Sequence, residues 1–160
     1  MQYSDAPRRE GSSQVSRTTI AVRAHETAAE LSQSFDSALI DLLKVVHHMP
    51  GSEQISPRRL AEASRSIGDI IFVVERALSG KWVDTHAHST PELPDGLAAW
   101  LQATHQGDAL RPHRLASVRA HVTQPGVQLS GDDVAVLQKL SRVFDAQAAH
   151  LFQRLTHEAS

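Results

Sequence analysis

Two long stretches of this chain repeat apolar residues at steps of three and four, which alternate strictly in the first stretch and nearly so in the second. The positions are Ala24, Ala28, Leu31, Phe35, Ala38, Leu42, Val45 and Met49 in the first stretch, and Leu137, Leu140, Phe144, Ala148, Leu151 and Leu155 in the second. This spacing places the apolar side chains in one stripe along an α-helix, and such a stripe packs against another element. Both stretches therefore predict long amphipathic helices.

A third stretch, between these two, has the pattern of a helix that is buried at its middle. Ser56-Pro57 is a helix start, because serine caps the first turn and proline needs no N–H partner at the first helical position. Ser79-Gly80 is a typical helix end. The apolar run from Ile70 to Val74 has charged flanks in helical register. We interpret the stretch as one helix, buried on all sides at its middle.

Two shorter helices are predicted before the last long one, over about residues 95–107 and 111–122. The sequence Ser130-Gly131-Asp132-Asp133 then has the pattern of a capping box at the start of the last helix. Together these elements predict an all-α fold. It is a helical bundle of three long amphipathic helices, with two short helices inserted before the last.

The long helices are expected to share one hydrophobic core. The side chains expected to be nearly inaccessible and in mutual contact are Leu42, Ile67, Ile71, Val74, Phe144 and Leu151. Residues 1–18 are polar, with four serines and three arginines, and we predict a flexible N-terminal arm there. The first helix is expected to begin at Thr18 or Thr19, and residues 19–160 to form a single helical-bundle domain.

Composition narrows the classes of function. The 160 residues include no cysteine, which excludes disulfides and thiolate chemistry. A formal charge of −2 gives no overall attraction to nucleic acid or to an anionic membrane, and no apolar run is long enough to span a bilayer. We expect a cytoplasmic protein that binds another protein or a second copy of itself. Non-classical export through the N-terminal arm remains an alternative.

The segment from Lys81 to Pro94 is a long polar loop and the first place to look for a site. It holds Trp82, a typical anchor for a partner, and His86 and His88, which with Glu92 can face one side. Val83-Asp84-Thr85-His86-Ala87-His88 resembles the first metal-ligand motif of the amidohydrolase and metal-dependent nuclease barrels. Such barrels need about 250 residues, so only a local metal site at His86 and His88 remains as an alternative.

A DNA-binding function is a further alternative. Ser56 to Ala63, followed by Ser64-Arg65-Ser66, resembles the opening of the helix-turn-helix in winged-helix regulators. A second basic stretch, with Arg111, His113, Arg114, Arg119 and His121, has the side chains that contact phosphate.

The sequence contains no Gly-rich phosphate loop, no nucleophile elbow and no paired-carboxylate cleft. It therefore favours binding over catalysis, and we expect no cofactor. Our leading hypothesis is a non-enzymatic helical protein-interaction protein, such as a bacterial adaptor, a regulator, an immunity-type protein or a secretion-associated factor. The helix-turn-helix regulator and the metal-binding bundle stand as alternatives.

Overall fold

The computed structural model describes residues 5–80, 92–94, 96–103 and 110–159, with side chains from residue 19 to residue 157. The described residues contain five α-helices and no strand, which confirms the predicted all-α class. The helices are α1 (Asp5–Val46), α2 (Pro57–Leu78), α3 (Leu97–Ala103), α4 (Pro112–Thr123) and α5 (Gly131–Ala159). A short 3-10 helix, Ser52–Gln54, lies between α1 and α2.

The first helix is longer than the sequence pattern predicted. It begins at Asp5 and has 42 residues, so the start expected at Thr18 or Thr19 is wrong. Residues 8–17 contain no proline and a single glycine, and proline at position 7 lies in the first turn, where it is tolerated. The helix bounds do not test whether residues 1–18 are flexible, so the flexible arm stays a prediction. The single domain over residues 19–160 also stays a prediction.

The second helix begins and ends where the sequence predicted. The Ser56 hydroxyl accepts a hydrogen bond from the Arg59 N–H at 3.1 Å, and Pro57 occupies the first helical position. At the other end, Gly80 adopts a left-handed φ of 69°, which favours glycine. The expectation of burial on all sides is wrong at Phe72, which is 43% exposed.

Pairwise contacts define how the helices pack. α1 packs against both α2 and α5, α2 packs against α4, and α4 makes a smaller contact with α5. The neighbours α1 and α5 run antiparallel, because Ser32 contacts Asp145 while Asp36 contacts Ser141. The rings of Phe35 and Phe144 meet edge to face at the centre of this pair, with centroids 5.1 Å apart.

The predicted core is present, with one exception. Leu42, Ile67, Ile71, Val74 and Phe144 are all buried and belong to one apolar cluster. Leu151 is only half-buried and lies outside this cluster, so its place in the core is corrected. The stripe along α5 specifies which side faces inward, but it does not specify how far the neighbouring helices cover it.

Two of the ion pairs between neighbouring helices are two-pronged arginine–carboxylate pairs. Arg59 of α2 donates two hydrogen bonds of 2.8 Å to the Asp41 carboxylate of α1. Arg119 of α4 donates to the Glu75 carboxylate of α2 at 2.5 and 3.2 Å. Both carboxylates are mostly buried, and each receives a two-pronged guanidinium, the geometry that best offsets loss of hydration.

None of the helices in the described part of the chain combines the length and apolar character needed to cross a membrane.

Candidate functional site

The main candidate site is an open groove between the start of α4 and the first half of α5. Its volume is about 710 Å³, within the range of typical ligand sites. We call it the cationic groove. It is lined by Arg111, His113, Arg114, Asp132, Ala135, Val136, Lys139 and Arg142.

Positive charge dominates this groove. Four of its lining residues are arginine or lysine, and Asp132 is its single carboxylate. Arg114 reaches Asp132 at 3.7 Å, but the Asp132 side chain is 83% exposed, so water screens the pair. For Lys139 and Arg142, no acid of the described residues lies within ion-pair distance. The groove therefore keeps an excess of positive charge.

Local sequence chemistry positions the two walls. Arg111 is the residue before α4, and Pro112 occupies the first helical position. On α5, positions 132, 135, 136, 139 and 142 follow steps of three and four and so lie on one face of the helix. Arg111, His113 and Arg114 lie at the N-terminal end of α4, where the partial positive charge of a helix attracts anions.

The capping box at the start of α5 is confirmed. The Ser130 hydroxyl accepts from the Asp133 N–H at 3.1 Å, and the Asp133 carboxylate accepts from the Ser130 N–H at 3.0 Å. The same carboxylate oxygen lies 2.9 Å from His121 Nδ1 near the end of α4. The box therefore fixes the first turn of α5, and the contact of Asp133 with His121 joins this turn to α4.

Two members of the predicted basic stretch do not contribute to the groove. Arg119 is held by Glu75, and this hydrogen bonding raises the pKa of Arg119. His121 pairs with Asp133, which is buried. Both side chains link elements of the fold, so only the first half of the basic stretch faces the groove.

The helix-turn-helix alternative lacks its turn. α2 runs without interruption from Pro57 to Leu78, so no turn follows Ala63 at Ser64-Arg65-Ser66. The two arginines at its start are already paired: Arg58 lies 3.4 Å from Glu62, and Arg59 is bound to Asp41. They bridge acids of the protein instead of forming a free basic surface.

The loop residues singled out from the sequence, Trp82, His86 and His88, lie outside the described residues, and their roles in partner or metal binding stay predictions. Glu92, at the end of this loop, is exposed and lies 3.9 Å from Arg23 of α1. Across the described ranges, no group of three or more His, Asp or Glu side chains is placed to hold a metal ion.

Lys139 and Arg142 also line the groove but are not among the residues that the sequence predicts. Their spacing of three marks a polar side of the last helix, but only the packing of α4 against α5 brings them beside Arg114. The signal available in the sequence was the pair of basic positions that follows the acidic first turn of α5.

The fold and the groove define an all-helical protein with a localised cationic site. No family model, curated protein sequence or solved structure matches this chain. The function is therefore argued from the geometry of the groove.

Proposed function

We propose that this chain is a non-enzymatic protein-interaction protein whose cationic groove binds an acidic segment of a partner protein. One observation carries the proposal: four cationic side chains surround one groove in a chain whose net charge is −2. In this proposal the three long helices form the scaffold of a bundle, and the short helices before the last one help to shape its binding face.

The chemistry of the groove suits carboxylates. Arginine presents a planar fork of donors that matches a carboxylate, and lysine adds a compact charge on a flexible stem. Arg114 and Arg142 supply the forks, and Lys139 supplies the compact charge. The apolar wall formed by Ala135 and Val136 gives room for the methylene groups of glutamate side chains.

A short acidic segment fits this groove better than duplex DNA does. Tight duplex binding draws on about 6–10 phosphate contacts spread along the helix axis, whereas the cations here gather at the meeting point of two helices. A duplex would need further cations to extend this basic surface. The candidates are paired with acids: Arg58, Arg59 and Arg119. We therefore treat nucleic acid as an outcome that the test must distinguish.

The test is the binding of a fluorescein-labelled polyglutamate peptide, followed by fluorescence anisotropy at low salt. Replacing both Lys139→Gln and Arg142→Gln should weaken the peptide about tenfold, the effect of losing two exposed ion pairs worth roughly 0.7 kcal/mol each. The matched control replaces Arg58→Gln and Arg65→Gln on α2, which makes the same change in net charge outside the groove.

The control variant should bind the peptide within about twofold of the parent protein, since distant exposed charges are screened. Equal losses in both variants, or no binding of the peptide at low salt, would overturn the proposal. A random duplex that binds more tightly than the peptide, and that depends on Lys139 and Arg142, would replace the acidic segment with nucleic acid as the partner.

A further inference from the structure

A second cavity lies on another side of the molecule, between the first half of α2 and the segment that follows α4. Its volume is about 440 Å³, and its apolar walls come from Leu60 of α2 and from Pro125 and Val127 after α4. We call it the Ser64 pocket, after the polar residue that lines it. It shares no lining residue with the cationic groove.

Ser64 is the chemically unusual feature of this pocket. Its side chain is more than nine-tenths buried, and its hydroxyl has no hydrogen-bonding partner among the described residues. Buried polar groups are nearly always paired, because an unpaired one keeps the cost of losing its water. Ser64 lines the cavity and its hydroxyl, which exposes almost no surface, has no partner in the described part of the chain, so a rotation of the side chain about its Cα–Cβ bond toward the cavity would offer this hydroxyl to a ligand.

Thr123, which lines the pocket, packs tightly against α2. A Cβ atom added to Gly68 would lie only 2.6 Å from Cγ2 of Thr123, so glycine permits the close approach of α2 to the end of α4. The Thr123 hydroxyl donates to the Arg119 carbonyl at 2.9 Å, which fixes the direction of its methyl group. The pocket is therefore shaped before any ligand arrives.

The charge at the mouth of the pocket is balanced. Arg65 and Asp69 both line it, and Arg65 Nε lies 4.0 Å from Asp69 Oδ2. These opposite charges lie one helical turn apart on α2 and cancel at the entrance. A neutral ligand is complementary to such a mouth, whereas the cationic groove selects for anions.

We propose that the Ser64 pocket binds a small neutral ligand with an apolar body and one carbonyl oxygen, which accepts a hydrogen bond from the Ser64 hydroxyl. The apolar body contacts Leu60, Pro125 and Val127. This proposal is independent of the proposal that the cationic groove binds an acidic segment, so an experiment can contradict one of them and leave the other standing.

Acetophenone and cumene form a matched pair of probes, since a methyl group in cumene replaces the carbonyl oxygen of acetophenone. Titrated into the ¹⁵N-labelled full chain, acetophenone should shift the amide resonances of residues 60–65 and 123–127 saturably. Ser64→Ala should weaken acetophenone about fivefold, the effect of one lost hydrogen bond near 1 kcal/mol, and should leave cumene unchanged. Ser37→Ala, an exposed serine of α1, is the matched control.

A second variant tests the cavity itself. Ala61 is exposed and lines the pocket, so Ala61→Trp should fill the space without disturbing the core and should weaken both probes. Shifts confined to other residues, or the absence of saturable shifts up to the solubility limit of acetophenone, would overturn the proposal. So would a Ser64→Ala variant that binds acetophenone as tightly as the parent, or that weakens both probes equally.

Discussion

Individual charged side chains decide which surfaces of this protein are available for binding. Arg59 and Arg119 are each paired with a mostly buried carboxylate, and Arg119 also lies over the ring of Phe72 at 5.3 Å from its centroid. Lys139 and Arg142 have no such partner among the described residues. Side chains of the same charge thus have different roles: those paired with a buried carboxylate hold helices together, and those without an acidic partner can bind another molecule.

Neighbouring residues of α2 should differ sharply in their contribution to stability. Ile71 is fully buried, so Ile71→Ala should lower the free energy of unfolding by about 2–5 kcal/mol. Phe72 is 43% exposed, and Phe72→Ala should cost about 1 kcal/mol through lost contact with Arg76 and Arg119. Urea unfolding measures both. A loss below about 0.5 kcal/mol for Ile71→Ala, typical of a surface position, would contradict the core described here.

The contact between α1 and α5 contains two carboxyl groups near each other. Ser141 donates a hydrogen bond to Asp36 at 2.5 Å, and Ser32 donates to Asp145. Burial raises the pKa of Asp36 above its usual 3.8; the Ser141 hydrogen bond lowers it, and the hydrogen bond and charge of Asp145 raise it again, with a net rise. The folded chain therefore keeps a proton on Asp36 at a pH where the unfolded chain has lost it.

This rise predicts a direction for the pH dependence. Because the folded state binds the proton more tightly, Asp36 contributes more to stability as pH falls from the raised folded pKa toward 3.8. Relative to Asp36→Asn, the parent protein should gain stability in urea unfolding between neutral pH and about pH 4. Glu26→Gln, an exposed acid on the same helix, is the control. A difference that is flat, or that grows as pH rises, would contradict the prediction.

At the scale of elements, the connection between α4 and α5 organises the cationic groove. Pro125 and Gly126 end α4, with Gly126 in the left-handed region at a φ of 65°, and the Ser130–Asp133 box begins α5. Asp133 also reaches back to His121. The two helices share only a small contact, and the Asp133–His121 contact is part of what joins them.

Removing the cap should destabilise the protein by a moderate amount. Ser130→Ala deletes the acceptor for the Asp133 N–H and should cost about 1 kcal/mol in urea unfolding, within the usual 0.5–2 kcal/mol for such caps. Ser117→Ala, at an exposed position within α4, should change stability by less than about 0.5 kcal/mol. If the two variants lose the same amount, the box does not stabilise the start of α5.

Across the whole molecule, the sequence predicted best those features that depend only on neighbouring residues, such as the ends of helices. Caps, prolines and glycines placed the ends of α2 and the start of α5, because these residues act on the adjacent turn alone. At the start of α1 the local signal was misleading, because Thr18 and Thr19 can each cap a helix, whereas the helix extends to Asp5. The burial of Leu151 and the exposure of Phe72 depend on neighbouring helices, which a stripe of apolar residues does not specify.

The candidate site could be predicted only in part for the same reason. Arg111, His113 and Arg114 were visible as a basic stretch, but Lys139 and Arg142 join them through tertiary packing. The pairing of Arg119 with Glu75 likewise links residues 44 positions apart. Bacterial origin, cytoplasmic location and self-association stay predictions. Exposed apolar side chains such as Ile20, Ile40 and Phe152 are where a second copy would be sought.

The central claim is that the cationic groove recognises acidic protein segments, and an NMR titration of the ¹⁵N-labelled chain with polyglutamate tests it most directly. We predict saturable shifts that cluster at residues 111–114 and 132–142 and that shrink as salt is added, since exposed charges are screened. Shifts centred on α2, or spread evenly over the surface, would contradict the claim. So would a titration that leaves Lys139 and Arg142 unaffected.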